Sequence, residues 1–141
     1  MIKSILLPID LNHESSWVKA LPQAVSLAQT HNAEIHALAV IPDYGMAIVG
    51  SQFPKGFASN AAKETAKELD DLVAREIPDD VKVTSHILHG SIYKEIIAAA
   101  DSAGCDTIVM ASHRSEMKDY LLGPNSARVV RHAKQAVFVV R

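Results

Sequence analysis

The feature of this sequence that most restricts its fold is a regular alternation of short apolar runs with segments of helical periodicity. Five apolar runs have about the length of a β-strand, and they cover residues 2–8, 35–41, 81–88, 105–111 and 136–140. Several are nearly continuous and rich in Val and Ile, as is typical of strands buried on both faces of a parallel sheet. The pattern therefore predicts a sheet that is covered on both sides.

The segments between these runs have the spacing and the end signals of helices. In the second segment, Ala62, Leu69 and Val73 share one face, and charged residues cover the other. Ser91 is a favourable N-cap for the third helix, and Gly104 is a favourable stop. The four predicted helices cover residues 17–31, 59–77, 92–103 and 124–133. Strands joined by helical crossovers are parallel, which predicts an α/β fold with an open five-stranded parallel sheet and helices on both faces.

The length and charge of the chain limit the classes of function that it can have. Its 141 residues have the size of one domain, so residues 1–141 are expected to form a single domain. A net charge of -2 gives no general attraction to nucleic acid or to anionic membranes. Cys105 is the only cysteine, and the sequence shows neither a signal peptide nor an apolar stretch of about 18 residues. The expected protein is cytoplasmic, without membrane insertion or a nucleic acid partner.

Polar residues that follow the predicted strands are the first candidates for a site, because open parallel sheets bind ligands beyond the carboxyl ends of their strands. Asp10 follows the first run and suits hydrogen bonds from a sugar or a base; alternatively, Asp10 or Asn12 caps the first helix. Arg114 follows the fourth run, and its planar fork suits a phosphate. The alternative for Arg114 is a surface position beside Glu116.

The start of the last predicted helix is a second candidate. Gly123 permits close approach of a ligand to the backbone, and Pro124 suits the first helical position. The N–H groups of Asn125 and Ser126 would then form an anion site, although an ordinary helix start has the same sequence. Gly90 and the residue after it have the same two interpretations. The Gly-rich loop at residues 43–58 is long enough to be a candidate functional segment.

Other chemistries have little support in the sequence. The motifs G-x-x-x-x-G-K-[ST], G-x-G-x-x-G and G-x-S-x-G do not occur. Seven histidines are scattered along the chain, and His86 and His89 lack the cysteines or carboxylates of a closed metal site. His36, His86 and His132 are interpreted as structural or solvated, and Cys105 as inert. No metal ligand and no catalytic residue is assigned.

Several segments together resemble the universal stress protein superfamily. They are ILLPID at residues 5–10, GS at 90–91, IVMASHR at 108–114, YLLGPNS at 120–126 and the C-terminal stretch from 129 to 141. The resemblance covers essentially the whole chain and is most specific in the C-terminal third. It implies a Rossmann-like sheet of the adenine nucleotide alpha hydrolase type with strand order 3-2-1-4-5, which brings Asp10 opposite residues 112–114.

The resemblance also implies an ATP site. Members that bind ATP carry the motif G-x-x-G, then nine residues, then G-S/T. In this chain Ala111 and Arg114 replace the first two glycines, and Pro124 replaces the Ser or Thr. The spacer, residues 115–122, has only eight residues. The S-H-R…L-L-G-x-N form is similar to one ATP-binding branch. By position, the site would comprise Ile9, Asp10 and Val40 at the adenosine end, Met110, Ala111, His113 and Arg114 along the ribose and phosphates, and Gly123, Asn125 and Ser126 at the phosphates.

The expected function is therefore an adenine nucleotide binding module for stress response or regulation, with ATP as cofactor, with or without Mg²⁺. Two alternatives are a slow ATP hydrolase and a structural dimer that binds no ligand. Efficient phosphoryl transfer needs a carboxylate that holds a metal, and Asp10 is the obvious acid. With the implied strand order, the last strand lies at an edge of the sheet, which predicts a homodimer through residues 136–140.

Overall fold

The computed structural model describes residues 1–42, 57–112 and 124–141. The candidate residues His113, Arg114 and Gly123 and most of the predicted loop at 43–58 lie outside the described residues. The loop was predicted two residues too long, because residues 57 and 58 already belong to a helix that begins at Phe57.

Five strands and four helices alternate along the described chain. The strands are β1 Ser4–Ile9, β2 Glu34–Pro42, β3 Val83–Gly90, β4 Thr107–Ala111 and β5 Ala136–Val140. A single 3₁₀ turn, Glu14–Ser16, precedes the first helix, and the helices are α1 Ala20–His31, α2 Phe57–Glu76, α3 Ile92–Ser102 and α4 Pro124–His132. The predicted first helix was three residues too long at its start, because the chain first makes the 3₁₀ turn.

The strands form one parallel sheet in the order β3-β2-β1-β4-β5, which confirms the predicted fold. β1 pairs with β4 at only two positions, Ile5 with Thr107 and Leu6 with Ile108. Pro8, further along β1, has no N–H to donate to a neighbouring strand. The carboxyl halves of β1 and β4, both described in full, are not joined by ladder pairs, although β1 stays paired with β2 through Ile9 and β4 with β5 through Ala111.

Alternate residues along the strands point to opposite faces of the sheet and contribute to two apolar layers, one on each face. On the side of α1 and α2 the core contains Ile5, Leu7 and Ile35; on the side of α3 and α4 it contains Leu6 and Leu38 among others. All residues of β1 and β4 are buried, as the continuous apolar runs predict. Burying one such side chain stabilises the fold by about 1.5–3 kcal/mol, so the double-sided core fixes the central strands most firmly.

The ends of α3 follow the predicted signals in part. Gly104 has φ +70°, and the N–H groups of Gly104 and Cys105 bond to the carbonyls of Asp101 (3.2 Å) and Ala100 (2.9 Å), which is a Schellman stop. Ser91 occupies the N-cap position with extended backbone, but its side chain makes no capping hydrogen bond. The N-cap of α3 is at the predicted residue, but the side-chain hydrogen bond expected of a serine cap is absent.

Candidate functional site

The carboxyl ends of β1 and β4 are neighbours in the sheet at the position where the strand order predicts a ligand crevice. Asp10 follows the last residue of β1, and Ser112 follows the last residue of β4. The first turn of α4 packs against the same edge, where the hydroxyl of buried Ser126 lies 3.4 Å from the hydroxyl of Ser112. The fold therefore gathers Asp10, the end of β4 and the start of α4 at one edge of the sheet.

Asp10 organises the turn that follows β1. Its Oδ1 accepts a hydrogen bond from the N–H of Asn12 at 3.0 Å, and its Oδ2 lies 2.9 Å from Nδ1 of His13. The N-cap of α1 is Lys19, which has no side-chain capping bond, so neither Asp10 nor Asn12 caps that helix. The structural role of Asp10 is thus a side-chain turn instead of a helix cap.

Ser16 holds the same turn from the other side. The N–H of Asp10 donates to Ser16 Oγ at 2.9 Å, and Ser16 Oγ lies 3.0 Å from the carbonyl oxygen of Asp10 and 2.7 Å from that of His13. Ser16 is 1% exposed, so these bonds are shielded from water. Sequence reasoning missed both His13 and Ser16; the available signal was their spacing of three and six residues after an Asp that ends a strand.

The Asp10 carboxylate keeps capacity for a ligand. Its side chain is 14% exposed, and a carboxylate has about four acceptor positions. The turn fixes the direction of the carboxylate before any ligand arrives. Asp10 can therefore accept a hydroxyl or an amine without first losing side-chain entropy.

The other candidate residues differ in what they can offer. Ile9, Met110 and Ala111 have buried side chains in the core, so only their backbone can contact a ligand. Val40 is half-buried on the α3 side of β2. Asn125 and Ser126 lie in the first turn of α4, which carries no acidic residue. Both already have interactions in the fold.

Cys105 lies apart from this edge. It precedes β4, which begins two residues later than predicted, and its thiol receives a hydrogen bond from the hydroxyl of Ser4 at 3.5 Å. Burial raises the pKa of the Cys105 thiol, so little thiolate forms near neutral pH. The thiol is a poor nucleophile, in agreement with the prediction that it is inert.

Two further properties apply to the part of the chain that the structure describes. Within residues 1–42, 57–112 and 124–141, no three His, Cys, Asp or Glu side chains are grouped so that they could hold a metal ion. In the same residues, no helix is both long and apolar enough to cross a membrane.

The comparison with known proteins agrees with this geometry. The model of the universal stress protein family matches residues 1–141. Universal stress protein G of Shigella flexneri is 30% identical over 145 residues, which cover 100% of both chains. The solved structure of MJ0577, a universal stress protein of Methanocaldococcus jannaschii, has a TM-score of 0.72 and 27% identity, and the match covers 99% of this chain and 96% of that one.

Two more distant structures have the same fold. One is a universal stress protein in complex with cAMP, at 19% identity and a TM-score of 0.62, and the match covers 99% of this chain and 97% of that one. The other is the universal stress protein of Archaeoglobus fulgidus in complex with dAMP, at 15% identity and a TM-score of 0.65, with coverage of 100% and 98%. Their likeness shows the fold alone. Because the family model spans the chain from end to end and a full-length relative is 30% identical, this chain belongs to the universal stress protein family.

Proposed function

We propose that this chain binds an adenine nucleotide, with ATP as the natural ligand, in the crevice between the carboxyl ends of β1 and β4. It acts as a binding module in stress response or regulation, and a partner reads its ligand state. The observation that carries the proposal is the switch in strand order at β1 and β4, where Asp10 follows β1 and the start of α4 contacts the residue after β4.

The adenosine end is assigned to Ile9, Asp10 and Val40. Asp10 Oδ1 and Oδ2 are oriented by Asn12 and His13, and a preorganised carboxylate is a good acceptor for a ribose hydroxyl or a base amine. The backbone of Ile9 and the half-buried Val40 would line the same end. Strand β1 ends between β2 and β4, so both neighbours reach this position.

The ribose and phosphate path is assigned to Met110, Ala111, His113 and Arg114, and the phosphates themselves also to Gly123, Asn125 and Ser126. The backbone N–H groups in the first turn of α4 and the positive end of its helix dipole favour an anion. Residues 124–141 contain Arg128, Arg131, Lys134 and Arg141 and no Asp or Glu. Of these, Arg141 follows β5 at the same carboxyl edge, whereas Arg131 lies in the last turn of α4, at the opposite edge of the sheet.

The two distant structures in complex with cAMP and dAMP support this choice of ligand class. They indicate that the fold accommodates an adenine nucleotide. The residues of this chain fit such a ligand at the adenosine end, where Asp10 is already oriented. Mg²⁺, if it accompanies ATP, would have to rest mainly on the phosphates, because Asp10 belongs to the adenosine end in this assignment.

Native mass spectrometry tests the proposal directly. Protein purified without added nucleotide should show a bound mass equal to ATP, ADP or AMP, and calorimetric titration of the stripped protein should give one site per chain. GTP serves as the control ligand, because it has the same phosphates but a different base. Equal affinities for ATP and GTP, or no binding of either, would contradict an adenine nucleotide site.

Slow hydrolysis of ATP remains the alternative activity. At the crevice, the carboxylate of Asp10 is engaged with its own turn and is assigned away from the phosphates. Efficient phosphoryl transfer needs a carboxylate that holds a metal and a group that positions the attacking water. Phosphate release that scales with protein concentration and continues through many turnovers would favour the hydrolase.

We also propose that residues 1–141 act as one cytoplasmic domain and assemble as a homodimer through β5. The strand lies at an edge of the sheet, and Phe138 and Val139 are 47% and 37% exposed. An edge strand with exposed apolar side chains favours pairing with a second copy.

A further inference from the structure

A row of polar side chains crosses the amino-terminal half of the sheet on the face that α3 covers. His36 on β2 is 8% exposed, and its Nε2 lies 2.9 Å from Oε1 of Glu34. Its Nδ1 lies 2.8 Å from Nε2 of His86 on β3, 50 residues away in sequence. Lys82 Nζ lies 3.1 Å from the other oxygen of Glu34. We call Glu34, His36, His86 and Lys82 the histidine array.

The chemistry of the array determines where its protons lie. The hydrogen bonds from His36 and Lys82 lower the pKa of Glu34, so this group is a carboxylate that only accepts. His36 must therefore donate from Nε2, which leaves its Nδ1 as the acceptor for the Nε2–H of His86 when both rings are neutral. Each hydrogen bond is then satisfied in the neutral array.

The array can accept one additional proton without losing a hydrogen bond. When His86 takes a proton at Nδ1, the proton between the two rings can move from His86 Nε2 to His36 Nδ1. The positive charge then lies on His36, next to the Glu34 carboxylate. A single proton is thus accommodated by a shift along the row.

A second proton cannot be accommodated in the same way. With both rings cationic, His36 Nδ1 and His86 Nε2 are both donors, 2.8 Å apart, and the hydrogen bond between them is lost. Burial and the positive charge of His36 lower the pKa of His86, so the second proton binds below the ordinary histidine value of 6.5. The ring of His86 must then move away from that of His36.

The charged groups around the array do not take the place of the hydrogen bond between His36 and His86. On the β1 side the neighbour of His36 is the apolar Leu6. The adjacent elements carry further titratable groups: Lys94, Glu95 and Asp101 on α3, and Cys105 and Asp106 before β4. Glu34 and Lys82 also line a cavity of about 260 Å³, and its other titratable groups are Lys3 and Asp80. Several have other partners: Glu95 lies against Gly90, Asp101 accepts from Gln135, and Asp106 accepts from the N–H of Lys3.

We propose that the histidine array is a pH-sensitive contact between β2 and the edge strand β3. It keeps β3 paired with β2 at neutral pH, and β3 separates more readily when the His36–His86 pair binds a second proton in acid. Among the strands that the structure describes, β3 pairs only with β2. Loosening it exposes backbone donors and acceptors at the sheet edge, which another chain can pair with. The array therefore links acidification to a change in the accessible surface of this protein.

Amide hydrogen exchange along β3 tests the proposal. After correction for the intrinsic pH dependence of exchange, protection of residues 83–90 should fall between pH 7.5 and 5.5 in the unaltered chain. The folded state binds fewer protons at His86 than the open state does, so opening increases by up to about tenfold per pH unit below 6.5. The variant His86→Gln keeps a donor toward His36 but does not titrate, and its protection should stay constant over this range.

His89→Gln is the matched control, because His89 is an exposed histidine on the same strand. It should behave like the unaltered chain. Equal loss of protection in His86→Gln and the unaltered chain, or no loss in either, would overturn the proposal. If His86→Gln does not fold, ¹⁵N NMR of the histidine rings in the unaltered chain decides: protonation of His86 over the same pH range as the loss of β3 protection supports the array, and loss of protection without a change at the His86 ring nitrogens refutes it.

Discussion

At the scale of single residues, the two ends of the proposed nucleotide make different demands on the protein. Arg114 is assigned to the phosphates, and a charge-assisted hydrogen bond of this type contributes about 1.5–3 kcal/mol. Arg114→Ala should therefore weaken ATP binding roughly tenfold to a hundredfold and leave adenosine binding almost unchanged. Calorimetric titration of both ligands measures the two effects. An equal loss for ATP and adenosine would show that Arg114 is structural.

Asp10 should affect ATP and adenosine alike, because both contain the group that it is proposed to bind. Two variants separate its ligand role from its role in the turn. Asp10→Asn keeps an oxygen for the N–H of Asn12, whereas Asp10→Ala removes it. We expect Asp10→Asn to retain most of the thermal stability but to weaken both ligands, and Asp10→Ala to lose stability as well. Unchanged affinity in Asp10→Asn would assign Asp10 to the turn alone.

At the scale of the elements, the junction of β3 with α3 depends on Gly90. Its φ is +144°, and a Cβ at this position would lie 2.8 Å from Oε1 of Glu95. Gly90→Ala should destabilise the protein by about 1–3 kcal/mol through backbone strain, whereas the contact adds little because the flexible end of Glu95 can shift. Urea denaturation measures the change in the free energy of unfolding.

Gly104→Ala is the matched control for that prediction. Gly104 has φ +70° and no atom within 4 Å of an added Cβ, so only the left-handed backbone cost of about 1–2 kcal/mol applies. The loss in Gly90→Ala should be the larger of the two, and Glu95→Ala should relieve only part of it. A smaller loss at Gly90 than at Gly104 would contradict this explanation of the junction.

At the scale of the whole molecule, β5 is the proposed dimer contact. Val139→Lys places a charge in this apolar edge and should shift the protein toward monomer in light scattering at micromolar concentrations, since a buried unpaired charge is unfavourable. Val18→Lys is the control, because Val18 is 46% exposed but lies outside β5. A monomeric unaltered protein, or equal effects of the two substitutions, would contradict a dimer through β5.

The sequence by itself determined the number and type of the main elements. Apolar runs and helical spacing depend on residues a few positions apart, so local physical chemistry is sufficient for them. The buried strand β4 and the stop at Gly104 are examples, and the errors are at element ends, such as the early start predicted for α1. The strand order did not come from periodicity but from the family resemblance, and the structure confirms it.

Only the tertiary structure decided which polar groups meet. His36 and His86 are 50 residues apart in sequence, and only the register of β2 with β3 brings Nδ1 of one within 2.8 Å of Nε2 of the other. The spacing of Asp10, His13 and Ser16 is a local signal, but the bonds between them depend on the path that the turn takes. A side-chain hydrogen bond requires positions correct to a few tenths of an ångström, and such precision arises only after the backbone has packed.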